Sequence, residues 1–270
     1  MGFAAAVCLL ISPLNAAFAK EEGSEASHDS GGSFNLDTQR TWLFRSFLPD
    51  ASDDADALGL EFNTSWSWGS YDWTNIAYIE LADYPVGIPG QPVGNPEPGT
   101  AAATGINDLL TAFLISKRQD HRGPHHFAWG FSAQFPTGDD DTLTSGKYSL
   151  GPAIEYAYSG DRLFAAFVAL QLWSVAGDAD RKDVSLMMIK PMVTYDLNGK
   201  WKAVYMPYGV SVYWNKPSGQ RVYFPLGGGI QRQFNIGSVP SAFSVQLFKN
   251  VIRPDKGTEY DFRLMLEVNF

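Results

Sequence analysis

Apolar and polar side chains alternate with a period of two along most of this chain, most cleanly over its last eleven residues. There Tyr260, Phe262, Leu264, Leu266, Val268 and Phe270 share one face, and Asp261, Arg263, Met265, Glu267 and Asn269 share the other, because successive strand side chains point to opposite sides. A tilted strand of this length crosses the hydrocarbon of a bilayer, although the same pattern suits the last strand of a soluble sandwich. Turn signals divide the rest into twelve strand candidates: 41–48, 57–67, 72–82, 106–117, 126–135, 147–158, 162–175, 184–197, 201–214, 220–234, 241–252 and 258–270. No helix-period segment of useful length competes with them.

The connections decide between barrel and sandwich. With the last residue at the periplasmic rim, the connections at that side are 69–70, 119–125, 159–161, 198–200 and the one around Gly237, mostly short. Those at the other side are 49–56, 83–105, 136–146, 176–183, 215–219 and 253–257, mostly longer. Alternation of short and long connections is what a closed transmembrane barrel produces. The expected fold is therefore an all-β antiparallel transmembrane barrel of about twelve strands, with short periplasmic turns and longer external loops. The final aromatic resembles the terminal signal read by the assembly machinery of outer-membrane barrels, which makes Phe270 the candidate assembly residue.

An apolar run over 3–14 is too short to span a bilayer as a helix, and Ala17-Phe18-Ala19 gives a small-x-small cleavage pattern. Residues 1–19 read as a secretory signal peptide, 20–35 as a disordered Glu/Ser/Gly leader, and 36–270 as the barrel. The one cysteine, Cys8, lies within the signal, so the mature chain is left without disulfides, thiolate metal sites or a cysteine nucleophile. After residue 20 no window reaches the ~20 apolar residues of a transmembrane helix. Aromatics at 14% against 18% charged residues fit strands that are oily on one side only. A net charge of -9 argues against nucleic acid as a partner.

Several motifs, taken in order, carry a likeness. Gly105-Ile106-Asn107-Asp108-Leu109-Leu110, Trp129-Gly130-Phe131, Phe135-Pro136-Thr137-Gly138-Asp139-Asp140, Ser145-Gly146-Lys147-Tyr148-Ser149-Leu150-Gly151-Pro152, Leu172-Trp173-Ser174-Val175-Ala176-Gly177-Asp178, Phe224-Pro225-Leu226-Gly227-Gly228-Gly229 and Val251-Ile252-Arg253-Pro254-Asp255 resemble the outer-membrane "MetA-pathway of phenol degradation" family. The likeness runs from about residue 105 to the end, and the Pro/Gly-rich insertion at 84–99 stands outside it. It implies an outer-membrane barrel of a Gram-negative envelope that takes up small, apolar or aromatic compounds, with outer-membrane lipid and lipopolysaccharide as surroundings.

The register places Arg45, Glu61, Glu80, Glu155, Lys190, Arg263 and Glu267 on the lumen side. Ionisable groups at membrane depth need water or a partner, so they line either a solute path or an ion-paired plug. The second option makes the protein a structural or surface-interaction barrel. Acidic loop groups, Asp50, Asp53, Asp54 and Asp56, then 139–141, then Asp178, Asp180 and Asp183, read as solvated loops, with divalent cations as the sharper option. His121, His125 and His126 form the one histidine cluster, but Gly123-Pro124 denies them a helix. They also sit at the rim opposite a barrel lipase's substrate, which disfavours a lipid hydrolase. Gly227-Gly228-Gly229 lacks the Lys-Ser/Thr of a phosphate loop and signals a bend. No catalytic residue, metal or cofactor is expected.

Overall fold

The computed structural model describes residues 34–47, 55–84, 103–118, 123–141, 143–255 and 257–269. The predicted signal, most of the leader, Phe270, His121 and the acidic residues at 50, 53 and 54 lie outside these residues. Fourteen antiparallel segments make one closed sheet: β1 (Phe34–Phe47), β2 (Ala55–Trp68), β3 (Tyr71–Tyr84), β4 (Ala103–Ile106), β5 (Leu109–Lys117), β6 (His125–Phe135), β7 (Lys147–Ser159), β8 (Leu163–Gly177), β9 (Ser185–Asp196), β10 (Trp201–Tyr205), β11 (Val210–Tyr213), β12 (Val222–Ile236), β13 (Val239–Ile252) and β14 (Tyr260–Asn269). β1 pairs with β14, so the sheet has no free edge and every stave has two neighbours. β4 and β5 lie end to end along β3, and β10 and β11 end to end between β9 and β12. Fourteen segments therefore make twelve staves.

The faces are inverted relative to a soluble protein. Phe127, Trp129 and Phe131 on β6, Leu150 and Ile154 on β7, and Phe243 and Leu247 on β13 are exposed on the outside, Trp129 by 55%. Side chains of this size left open on a continuous belt require hydrocarbon around them. Trp68 and Tyr71 flank the turn at Gly69, and Tyr195 and Trp201 flank the one at Gly199, while Tyr148, Trp173 and Tyr260 sit at the other end. These are the two interfacial girdles. The inside is small and polar: Ser132, Gln134, Ser149, Ser211, Ser244 and Gln246 are almost wholly buried. An apolar arc runs through it on β5 to β9, where Leu110, Leu114, Leu170, Leu172 and Met188 pack together.

Three features depart from the sequence expectation. β1 begins at Phe34, ahead of the expected 41. The candidates 106–117 and 201–214 are each split, the first at Asn107-Asp108 and the second over 206–209. Prolines are accommodated in different ways: Pro225 sits at a register shift, Pro152 stays within β7 on its outer face, and Pro207 breaks the stave. That break puts Val204 and Val212 on opposite faces, since Val204 pairs beside lumen-facing Gly229 and Val212 beside Val222 on the outside.

Candidate functional site

Glu61 of β2, Glu80 of β3, Glu155 of β7, Lys190 of β9, and Arg263 and Glu267 of β14 all carry lumen parity in the ladder. Arg45 does not. It shares a face with exposed Leu43, pairs in register with Asp56, and lies 3.5 Å from that carboxylate with half of its side chain open. Its expected lumen position is corrected to the outer wall at the external end of β1, where an ion pair meets headgroups and water instead of hydrocarbon. The misreading is a slip of one residue, which inverts a whole strand.

The lumen charges are not evenly spread. Near the external mouth, Glu80 accepts a hydrogen bond from Asn107 Nδ2 at 3.0 Å, and its backbone oxygen accepts one from Asn107 N at 2.9 Å. Lower down, Lys190 Nζ rests 4.6 Å above the Tyr78 ring and is attracted by both Glu80 and Glu61. Arg263 is ion-paired with Asp261, stacks 4.0 Å over Tyr208, and donates from Nη1 to Met206 O at 3.2 Å. Glu155 lies 3.9 Å from His126 Nε2, and it lines the same cavity as Glu61.

Between these groups is a cavity of about 200 Å³. Its wall is largely apolar, with Tyr78, Leu170, Met188, Met206, Tyr208 and Met265 among the lining, and Glu61, Glu155, Glu267, Lys190 and Arg263 supply the polar remainder. Methionine suits such a wall because its flexible thioether fills irregular space around changing contents.

Two strand breaks frame the cavity. The external one is built around Asp108, only 3% exposed. Its Oδ2 accepts from Gln134 Nε2 at 2.9 Å, Ser145 N at 2.8 Å and Ser145 Oγ at 2.7 Å, and its Oδ1 accepts from Gly138 N at 3.1 Å. Asp139 adds a bond from Ile106 N at 2.7 Å, so the connection 136–146 is tied to β4 at several points. This folds Leu143 into the mouth against Ala57, Ala82 and Ala103. Arg181, from the next external connection, clamps it by donating to the backbone oxygens of Asp141 and Thr144. The external mouth is thus capped by the chain's own loop.

The second break lies at mid-depth. β10 pairs with β9 up to Tyr205↔Val193 and β11 resumes at Val210↔Ile189, which leaves Lys190, Pro191 and Met192 without a ladder partner on that side. On the other side Phe224 to Gly228 of β12 are skipped in the same way. The bridging residues are held from the lumen: Met206 N donates to Gln246 Oε1 at 3.1 Å, and Met206 O takes the Arg263 bond. Gly209 supplies a φ of +146°, which favours glycine. Lys190, Pro191, Met192, Met206 and Pro207 all line the cavity, so it abuts this gap in the wall.

The histidines and acidic loops resolve differently. His125 turns outward, with Nδ1 at 2.7 Å from the Tyr156 hydroxyl, while His126 points into the lumen, so they do not converge on a metal. Asp183 lies 3.3 Å from Lys147 Nζ, and the hydrogen bonds from Lys147 and then Ser174 hold its carboxyl below the ordinary range. Asp108, Ser145, Met206 and Tyr208 had no assigned role in the sequence. The only trace was an Asn-Asp pair interrupting an apolar strand and a Pro between Met206 and Tyr208.

The family model described as "Putative MetA-pathway of phenol degradation" matches residues 29–250. Among solved structures, an outer membrane channel from Pseudomonas putida F1 superposes with a TM-score of 0.54 at 10% identity, covering 92% of this chain and 98% of that one. The NanC porin superposes with a TM-score of 0.51 at 10% identity, covering 85% and 98%. At this identity the likeness establishes a shared barrel fold. A comparison with curated proteins finds no match.

Proposed function

The chain belongs to the "MetA-pathway of phenol degradation" family, and on that premise we propose that it is an outer-membrane barrel that passes small apolar or aromatic solutes. The observation that carries this reading is the methionine- and aromatic-lined cavity set against the mid-depth gap in the wall, beneath a capped external mouth. A capped mouth disfavours bulk flow of polar solutes. An apolar molecule partitioned into the membrane reaches the same cavity sideways, where the ladder lacks bonds. The surroundings are outer-membrane lipid and lipopolysaccharide, the assembly machinery is that of outer-membrane barrels, and no chemical step is assigned. Liposomes carrying the barrel should show little swelling with small sugars, whereas cells expressing it should take up radiolabelled naphthalene faster than cells with an empty vector. Equal uptake in the two cell lines defeats the proposal. The second reading, a plugged interaction barrel, draws on the loop cap at Asp108, and it predicts neither conductance nor uptake.

A further inference from the structure

Cations at the rims of the barrel fall into two groups. At the external end Arg45 lies beside Asp56, Lys249 Nζ lies 3.2 Å from Glu259, and Arg253 Nη2 lies 3.0 Å from the same carboxylate. At the end of the short turns Arg118 has Asp72 at 3.3 Å. Arg162 and Arg232 share that end, yet neither has a carboxylate within ion-pair distance among the described residues. Asp196, beside them in the ladder, carries lumen parity, and its Oδ1 accepts from Gly199 N at 2.6 Å.

The two arginines lie in one row of the outer wall. Arg162 O accepts from Asp196 N at 2.7 Å, Leu197 N donates to Trp201 O at 2.9 Å, and Trp201 pairs in register with Arg232, which pairs in turn with exposed Phe243. Each guanidinium rests on an exposed ring of the girdle, Arg162 at 5.2 Å over Tyr195 and Arg232 at 5.7 Å over Trp201. Arg162 donates from Nε and Nη2 to Asp196 O and Leu197 O, at 3.0 and 2.9 Å, which leaves Nη1 open. Arg232 makes no hydrogen bond among the described residues, so its whole fork is open. A ring beneath a guanidinium holds its plane and turns the edge of N–H donors toward the surroundings. Lys200, exposed in the turn between them, adds a third cation.

We infer that this row binds an anionic phospholipid of the periplasmic leaflet, with its phosphodiester on the open guanidinium edges and its acyl chains along exposed Leu163, Ile230 and Phe243. A guanidinium fork meets phosphate oxygens two at a time and gives up its hydration more easily than an ammonium does. At the interface a cation that faces lipid finds its counter-ion in the headgroup. The tyrosine and tryptophan beneath the two forks set the level, because these rings settle among headgroups. The inference goes beyond the solute path and needs only that the barrel span the membrane with its short turns at the phospholipid leaflet.

Native mass spectrometry of the solubilised full-length barrel, offered phosphatidylglycerol and phosphatidylcholine with the same acyl chains, reads the preference directly. The first lipid retained should be phosphatidylglycerol, favoured by about fivefold for each guanidinium. Arg232→Gln should cut that preference by about fivefold without disturbing assembly, since Arg232 makes no hydrogen bond that the fold would lose. Arg162→Gln/Arg232→Gln should bring it to near one, and if that double variant does not assemble, Arg232→Lys, which keeps the charge and loses the fork, should fall between wild type and Arg232→Gln. Arg118→Gln removes one cation from the same rim at a paired position and should leave the preference as it was. Equal retention of the two lipids by the wild type, or an effect of Arg118→Gln as large as that of Arg232→Gln, overturns the inference. Displacement of the lipid by an equal concentration of free glycerol 1-phosphate overturns it too, because the site would then serve a soluble anion.

Discussion

The two strand breaks arise from the same local event, a stave that stops and resumes, yet they have opposite consequences. At Asn107-Asp108 the lost ladder bonds are replaced locally: Asn107 restores the bond to β3, Thr137 Oγ1 accepts from Leu109 N at 2.8 Å, and Asp108 collects four donors from β6 and the loop. At 206–209 the neighbouring strands are left unladdered; side chains of β13 and β14, Gln246 and Arg263, bond the bridge, and Tyr205 Oη donates to Pro225 O at 2.8 Å. A polar break at the mouth becomes a seat for a cap. A proline and glycine break at mid-depth becomes a gap beside a cavity. In a barrel, where the ladder is the wall, what refills the missing bonds decides whether a break closes or opens.

The sharpest way to break this comparison is at Asp108. Asp108→Ala removes the acceptor for four loop and strand donors at a buried position, where each stranded donor costs about 1–3 kcal/mol. We expect several kcal/mol of lost stability in the thermal shift between folded and unfolded gel bands, and a clear rise in single-channel conductance as the 136–146 loop leaves the mouth. A destabilised barrel with unchanged conductance would mean that the loop is not the closure. Asp108→Asn, which keeps the oxygen and adds a competing donor, should fall between the two.

The mid-depth break responds on a smaller scale. Gly209 has φ +146°, and a Cβ there would meet Ile189 O at 2.9 Å, so Gly209→Ala should cost about 1–3 kcal/mol through backbone strain. Conductance should stay low because the mouth remains capped, while uptake of an apolar aromatic should fall as the bridge is forced from its place. A rise in conductance equal to that of Asp108→Ala would erase the distinction between the two breaks.

The barrel was legible because period-two alternation and short-long connections are global patterns, and a twelve-stave wall repeats them twelve times. Six charged residues reached their faces by the same arithmetic, since Glu61, Glu155 and Lys190 lie in strands whose alternation is unbroken. What stayed hidden depends on departures from the pattern. Asp108 reads as a polar residue in a strand, and nothing local says that its acceptors collect Gln134, Gly138 and Ser145, some thirty residues away. Tyr208 sits on the apolar face of an idealised strand, yet Pro207 breaks that strand and the ring ends on Arg263. β1 was misjudged because apolar residues occur on both of its faces over 41–47, so alternation there does not single out the lumen side.

Arg45 is therefore where the smallest effect carries information. On the outer wall its bond to Asp56 is half exposed, and an ion pair of that kind contributes at most about 1 kcal/mol, so Arg45→Gln should leave the thermal transition nearly where it was. It should also leave ion selectivity untouched, because the removed charge faces away from the lumen. Arg263→Gln, the same change made on the inside, frees Asp261 at a buried position and removes the guanidinium from Met206 O and Tyr208, and it should be far more destabilising. Reversal potentials and thermal shifts measured on both variants together test the face assignment itself. If Arg45→Gln moved the reversal potential and Arg263→Gln did not, β1 would present its other face to the lumen, and the pairing of Arg45 with Asp56 on the outside would be wrong.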